Sequence, residues 1–238
     1  TNGTTASSNT SNENSGAVYV YKRSGSTWTQ EAYVKASTNL TNDVSGPKFG
    51  RKVALDGDTL AVGHWYDKSN QTTITNDNTS SSNTSFGDSG AVFVYKRTGS
   101  NWAQESYIKS ANNNSGDLFG WSIALEDNIL VVGAKEEDSN QTTITNGSIP
   151  SSNNNSSNSG AVYVYKRTGN NWDQMAYIKA CNNEDNNKFG YSVSLDNGSL
   201  AVGAHEEDSN QTAISNGSCP SNNSSNSNSG AAYIFKLE

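Results

Sequence analysis

Two stretches decide the fold: Phe49-Gly50-Arg51-Lys52-Val53-Ala54-Leu55-Asp56-Gly57-Asp58-Thr59-Leu60-Ala61-Val62-Gly63, and Ser89-Gly90-Ala91-Val92-Phe93-Val94-Tyr95. In the first, two apolar runs flank Asp56-Gly57-Asp58. Asp and Gly accept the positive φ that a tight hairpin needs, so the stretch reads as antiparallel strands A and B. In the second, valines alternate with aromatics. Both faces of that strand C are therefore apolar, as in a sheet covered on both sides.

Both stretches recur. Phe-Gly returns at Phe119-Gly120 and Phe189-Gly190, a spacing of 70, and Ser-Gly at Ser15, Ser159 and Ser229. Further A–B turns fall at Asp127-Asn128 and Asp196-Asn197-Gly198, and strand B ends at Gly63, Gly133 and Gly203. Strand C returns at Ala17–Tyr21, Ala161–Tyr165 and Ala231–Phe235. After a Lys-Arg turn, strand D carries Trp28, Trp102 or Trp172, then Tyr33, Tyr107 or Tyr177. Helix signals are absent. The expected fold is all-β: a propeller-type array of four-stranded antiparallel blades, about three repeats of roughly 70 residues. Residues 1–48 hold a polar loop and strands C and D of a split blade. Residues 49–118 and 119–188 are full repeats, and 189–238 supply strands A, B and C.

Composition narrows the function. Apolar residues make up only 32%, because Asn/Ser/Thr/Gly tracts separate the strands. Such tracts cannot offset their ordering entropy by burial and are expected as exposed loops. A net charge of −7 argues against a nucleic-acid partner, which needs clustered Lys and Arg. No apolar run is long enough to span a membrane. The chain opens in a polar tract at Thr1 with no leader segment in view, as expected of a processed form or a fragment. Abundant Asn argues against a hyperthermophilic source.

The run from Phe-Gly through Val-Ala-Leu-Asp-Gly-Asp-Thr-Leu-Ala-Val-Gly to Ser-Gly-Ala-Val-Tyr-Val-Tyr resembles FG-GAP repeats, the blades of integrin α-subunit propellers and of many secreted microbial proteins. The resemblance implies an extracellular or cell-surface protein. It places calcium in an Asp-x-Asp-x-Asp-Gly loop of the A–B hairpin, but the hairpins here are too short to wrap a cation with six or more oxygens. A second acidic cluster follows strand B, at Glu136-Glu137-Asp138 and Glu206-Glu207-Asp208, each before Ser-Asn-Gln-Thr. Glu137, Asp138 and Asn140, with Glu207, Asp208 and Asn210, are the candidate calcium ligands. The alternative is a solvated loop start, because repeat one has Trp65-Tyr66-Asp67-Lys68 there.

Each B–C loop runs some 25 residues, and uniformly long loops on one face of a rigid scaffold are where function is expected. About 16 Asn-x-Ser/Thr sequons occur. Asn70, Asn140 and Asn210 share one repeat position, and Asn2, Asn146 and Asn216 another, which makes these six the candidate glycosylation sites. Chance sequons in a polar loop are the competing reading. Cys181 and Cys219 lie in loops of one face, so a disulfide is expected, with two free thiols as the alternative.

No catalytic set emerges. His64 and His205 read as one repeat position, with Lys135 in the third, and make neither a metal motif nor a triad. The acidic pairs show no sign of burial that would raise a pKa. The Lys-Arg pairs read as edge charge and the tryptophans as packing. Phe49, Phe119 and Phe189 are expected in the core, with Tyr19, Phe93, Tyr163 and Tyr233. Two functions remain. One is a non-enzymatic structural or adhesive protein that assembles with other copies of itself into an oligomer or fibre. The other is an integrin-like propeller recognising an extracellular protein or glycan. The chain is expected not to close on itself, because Ala231–Phe235 competes with Ala17–Tyr21 for one slot.

Overall fold

The computed structural model describes residues 14–38, 48–217, 219 and 224–237, and contains strands only. The elements are β1 (Val18–Ser24), β2 (Thr27–Val34), β3 (Lys52–Asp56), β4 (Thr59–His64), β5 (Ala91–Thr98), β6 (Asn101–Ile108), β7 (Ser122–Glu126), β8 (Ile129–Ala134), β9 (Ile144–Asn146), β10 (Ala161–Thr168), β11 (Asn171–Ile178), β12 (Phe189–Asp196), β13 (Ser199–Ala204) and β14 (Ala231–Lys236). They form four antiparallel sheets: β1-β2, β3-β4-β5-β6, β7-β8-β10-β11-β9 and β12-β13-β14. We refer to these as sheets 1 to 4. Asp127 and Asn197 hold φ of 52° and 47° in their hairpins, as the turn chemistry requires.

The core lies between the sheets, in three layers. Alternation along strand C decides what each sheet shows its neighbours. Phe93 and Tyr95 pack toward sheet 1, on Val20, Ala32 and Val34. Val92 and Val94, from the opposite face of the same strand, pack with Tyr163, Tyr165 and Trp172 of sheet 3. Val162 and Val164 in turn meet Phe189 and the partly buried Tyr233 and Phe235 of sheet 4. An aromatic face thus seats on the aliphatic face of the preceding sheet three times.

Glycines let the backbones meet. Gly90 has φ +85°, and a Cβ there would stand 2.1 Å from the Phe119 carbonyl oxygen of the next sheet. A Cβ at Gly133 would stand 2.2 Å from the Gly190 oxygen. The Phe-Gly and Ser-Gly pairs are therefore two sides of one backbone contact, closed by the bond from Phe119 N–H to the Ser89 carbonyl at 3.0 Å.

Phe49, Phe119, Phe189, Phe93 and Tyr163 are buried as expected, and Tyr233 is partly buried. Tyr19 is a correction: it is 47% exposed, and Trp28 is 65% exposed, whereas Trp102 and Trp172 are buried. Sheet 1 holds only strands C and D, and no described sheet covers its aromatic face.

Candidate functional site

The most organised polar chemistry sits where the B–C loops leave strand B. Asp67, Glu137 and Glu207 occupy one repeat position and are all buried. This corrects two sequence readings. The acids are not a solvated loop start, and repeat one keeps the pattern with an Asp. In sheet 3, Tyr177 donates its hydroxyl proton to Glu137 Oε1 at 2.9 Å, and the Lys179 ammonium donates to Oε2 at 2.8 Å. The Ser139 backbone N–H and the Asn112 side-chain amide complete the set. Lys179 also donates to the buried Ser159 hydroxyl, which anchors the far end of the long loop. Each polar atom faces another, so burial costs little.

Sheet 2 builds the same latch with different parts. Tyr107 and Lys109 donate to Asp67 Oδ1 at 2.8 and 3.2 Å. The shorter acid leaves room for His64, whose Nδ1 lies 3.4 Å from Asp67 Oδ2. Burial pushes the Asp67 carboxyl up, but His64 and the Lys109 charge outweigh it and hold its pKa down at about 2. Burial pulls the ammonium groups of Lys109 and Lys179 below their ordinary range. Between sheets, Asn112 links Glu137 to the Tyr163 hydroxyl, and Asn182 links Glu207 to that of Tyr233. In sheet 2 the tyrosine is Phe93 and the asparagine is Thr38, so both halves of the link change together.

Strand register corrects the histidines. His64 pairs with Ala91 in β4, as Ala134 pairs with Ala161 and Ala204 with Ala231. His205 belongs instead with Trp65 and Lys135. These three join the residues that follow each Phe-Gly in a stacked strip at the long-loop end. Arg51 lies over Trp65, Trp65 stacks on Trp121 at 4.1 Å, Lys135 lies over Trp121, and Tyr191 stacks on His205 at 3.8 Å. The three repeats carry different residues at both positions of this strip: Arg51, Trp121 and Tyr191 at one, and Trp65, Lys135 and His205 at the other.

The calcium candidates fare unevenly. Glu137 and Glu207 spend their oxygens on protein donors, Asp138 accepts from Asn158 N–H and Asp208 from Asn228 N–H. Asn140 and Asn210 are exposed. Among the described residues no group of three or more His, Cys, Asp or Glu is placed to hold a metal. In the A–B hairpins, Asp56 accepts from Asp127 N–H and Glu126 from Asn197 N–H, so these acids bind the next sheet's turn. Asp117 is a buried acid outside those acidic pairs: burial, with the charge of Glu137, pushes its carboxyl well above the usual range.

The sequons at Asn70, Asn140, Asn146 and Asn210 are exposed, as is Asn216, while Asn2 lies outside the described residues. The shared Ser-Asn-Gln-Thr is also a loop former: Gln71 and Gln141 each donate to a carbonyl two residues on and to a threonine hydroxyl four residues on. Cys181 and Cys219 form a disulfide beside the Asn182–Glu207 link, with Cα atoms 5.8 Å apart. Sequence reading missed the latch because Lys and its acid lie 42 residues apart, yet their co-recurrence in successive repeats is a usable signal.

Comparison with known proteins adds one match. The FG-GAP repeat model fits residues 28–95, 102–165 and 172–235. No curated protein matches the chain.

Proposed function

The chain belongs to the FG-GAP repeat family, and from that premise we propose that it is a non-enzymatic extracellular structural or adhesive protein that assembles with copies of itself and carries glycans on its long loops. One observation carries the assembly. Tyr19, Tyr21 and Trp28 stand 47%, 54% and 65% exposed on the same face that sheets 2 and 3 bury against a neighbour. Contiguous exposed aromatics of this kind mark an interaction surface. The disulfide and the exposed sequons support an oxidising, glycan-adding environment. Sedimentation velocity at low micromolar concentration is the test. Species of two or more chains, each of 25.3 kDa plus its glycans, are expected, and a stable monomer would overturn the reading. Intact mass of native material tests the glycans separately, since a mass equal to the bare polypeptide removes them.

A second reading rests on the stacked strip. Its stacked aromatic and cationic side chains favour an integrin-like ligand surface at the long-loop end, for an extracellular protein or glycan. A protein that stays monomeric, and loses glycan or protein binding when Tyr191 is replaced, would favour this reading over assembly.

A further inference from the structure

Two halves of one latch stand apart in this chain. In sheets 2 and 3 the buried acid takes a lysine and a tyrosine from strand D of its own sheet. Sheet 4 holds strands A, B and C, and its buried Glu207 takes only Asn182 and Ser209. Among the described residues no lysine reaches it. Sheet 1 holds strands C and D. Its Lys35 occupies the position of Lys109 and Lys179, and donates to Ser15 and the Gly16 carbonyl as Lys109 donates to Ser89 and the Gly90 carbonyl. No described carboxylate pairs with it, and burial holds its ammonium below the ordinary range. One end offers the acid and the other the base.

We propose that the β1-β2 hairpin of one copy docks on the β12-β13 hairpin of a second copy, in the slot that β14 fills in the single chain, so that Lys35 of one copy pairs with Glu207 of the other. The inference rests on the assembly reading above and names its contact. The strand sequences support it. β1 carries Val18, Val20 and Arg23, which match Val92, Val94 and Arg97 of a complete sheet, whereas β14 has Ala232 and Ile234 there, with Leu237 just after it. β1 is therefore the better fit to a strand-C slot, and it brings a strand D already paired to it.

Exchange also covers the exposed aromatics. The face bearing Tyr19, Tyr21 and Trp28 would meet Val162, Val164 and Ile178, where Tyr233 and Phe235 pack in the single chain. Trp102 and Trp172 donate their indole N–H to Glu31 and Glu105 of the preceding sheet. The corresponding residue of sheet 3 is Met175, whose thioether suits an aromatic ring. Such a contact joins unlike ends, so copies add head to tail.

Charge reversal in separate preparations tests this. Lys35→Glu spoils only the β1-β2 end and Glu207→Lys only the β12-β13 end. Each alone is expected to sediment as a monomer, and an equimolar mixture to assemble again, because every mixed contact pairs either the two unmodified residues or the two reversed charges. Either variant assembling alone like the unmodified chain would overturn the proposal. Because a buried Glu207→Lys can fail to fold, a second pair uses surface positions. Lys96 and Lys236 pair with Thr59 and Ser199, so exchange sets Lys22 of one copy against Ser199 of the other. Chains carrying Lys22→Cys and Ser199→Cys, mixed under mild oxidation, are expected to yield a disulfide-linked dimer. Persistent assembly of the unmodified chain without that crosslink overturns strand exchange and leaves the assembly reading standing. An unmodified chain that remains monomeric overturns both.

Discussion

Replacing Gly90 with alanine separates the contact between sheets from the backbone cost of a residue at positive φ. Gly90, Gly99 and Gly230 have φ of +85°, +65° and +76°. An alanine at any of them carries the left-handed penalty of roughly 1–2 kcal/mol. Their surroundings differ. A Cβ at Gly99 meets nothing within 4 Å, and one at Gly230 first meets the His205 oxygen at 3.3 Å. At Gly90 it would lie 2.1 Å from Phe119 O and 2.5 Å from Phe119 N, both backbone atoms that cannot rotate away. Sheets 2 and 3 must then separate, at an overpacking cost of roughly 1–3 kcal/mol. Loss of the Phe119 N–H to Ser89 bond adds roughly 1 kcal/mol. Gly90→Ala is therefore expected to cost roughly 3–6 kcal/mol, and Gly99→Ala and Gly230→Ala roughly 1–2. Urea unfolding followed by tryptophan fluorescence measures all three, with the slopes compared to confirm one transition. If Gly90→Ala lands within about 0.5 kcal/mol of Gly99→Ala, the sheets do not meet through these backbones.

Other outcomes follow from the same contacts. Lys179→Met strands the buried Glu137 carboxylate and is expected to cost roughly 3–5 kcal/mol, much of it recovered when Glu137→Leu is added; a single-variant loss under about 1 kcal/mol would refute the latch. Asp117 and Asp67 give opposite pH dependences. The raised Asp117 pKa stabilises the fold below the ordinary carboxyl range and loses that benefit as pH rises through the folded value, so Asp117→Asn is expected to stabilise the chain at pH 7 in thermal unfolding. The depressed Asp67 pKa stabilises the fold above about pH 4, by roughly 2 kcal/mol, and that benefit falls away toward pH 2, so Asp67→Asn is expected to flatten the acid limb. Cys181→Ser opens a crosslink spanning 38 residues, for which chain entropy gives about 4 kcal/mol; unchanged unfolding under reducing and non-reducing conditions would contradict that value.

Much of the site was legible only in part. The recurrence of Lys109 and Lys179 before the D–A loops, and of Asp67, Glu137 and Glu207 after strand B, was present in the repeats. Its meaning was hidden because partners 42 residues apart become neighbours only once strand D lies beside strand C. Reading the acids as solvated followed from their polar surroundings in sequence, yet those same Ser, Asn and Gln residues are the donors that make burial tolerable. The two histidines were placed in one position because both stand near the end of strand B, and a one-residue difference there reverses which face a side chain takes.

The sequence by itself determined the strands, their hairpins, the repeat and the family, because period-two alternation and turn chemistry are local and the 70-residue copies reinforce one another. It also marked both cysteines and the shared sequons. Only the tertiary structure decided which apolar faces are covered. Tyr19 and Tyr163 stand in equivalent strands, but one is 47% exposed and the other fully buried, since burial depends on whether a neighbouring sheet exists. The same holds for charge: Lys35 and Lys179 are equivalent in sequence, and only the presence of strand B beside strand C gives one of them an acid. Strand formation is a property of a few adjacent residues, whereas burial and pairing belong to the contacts between sheets.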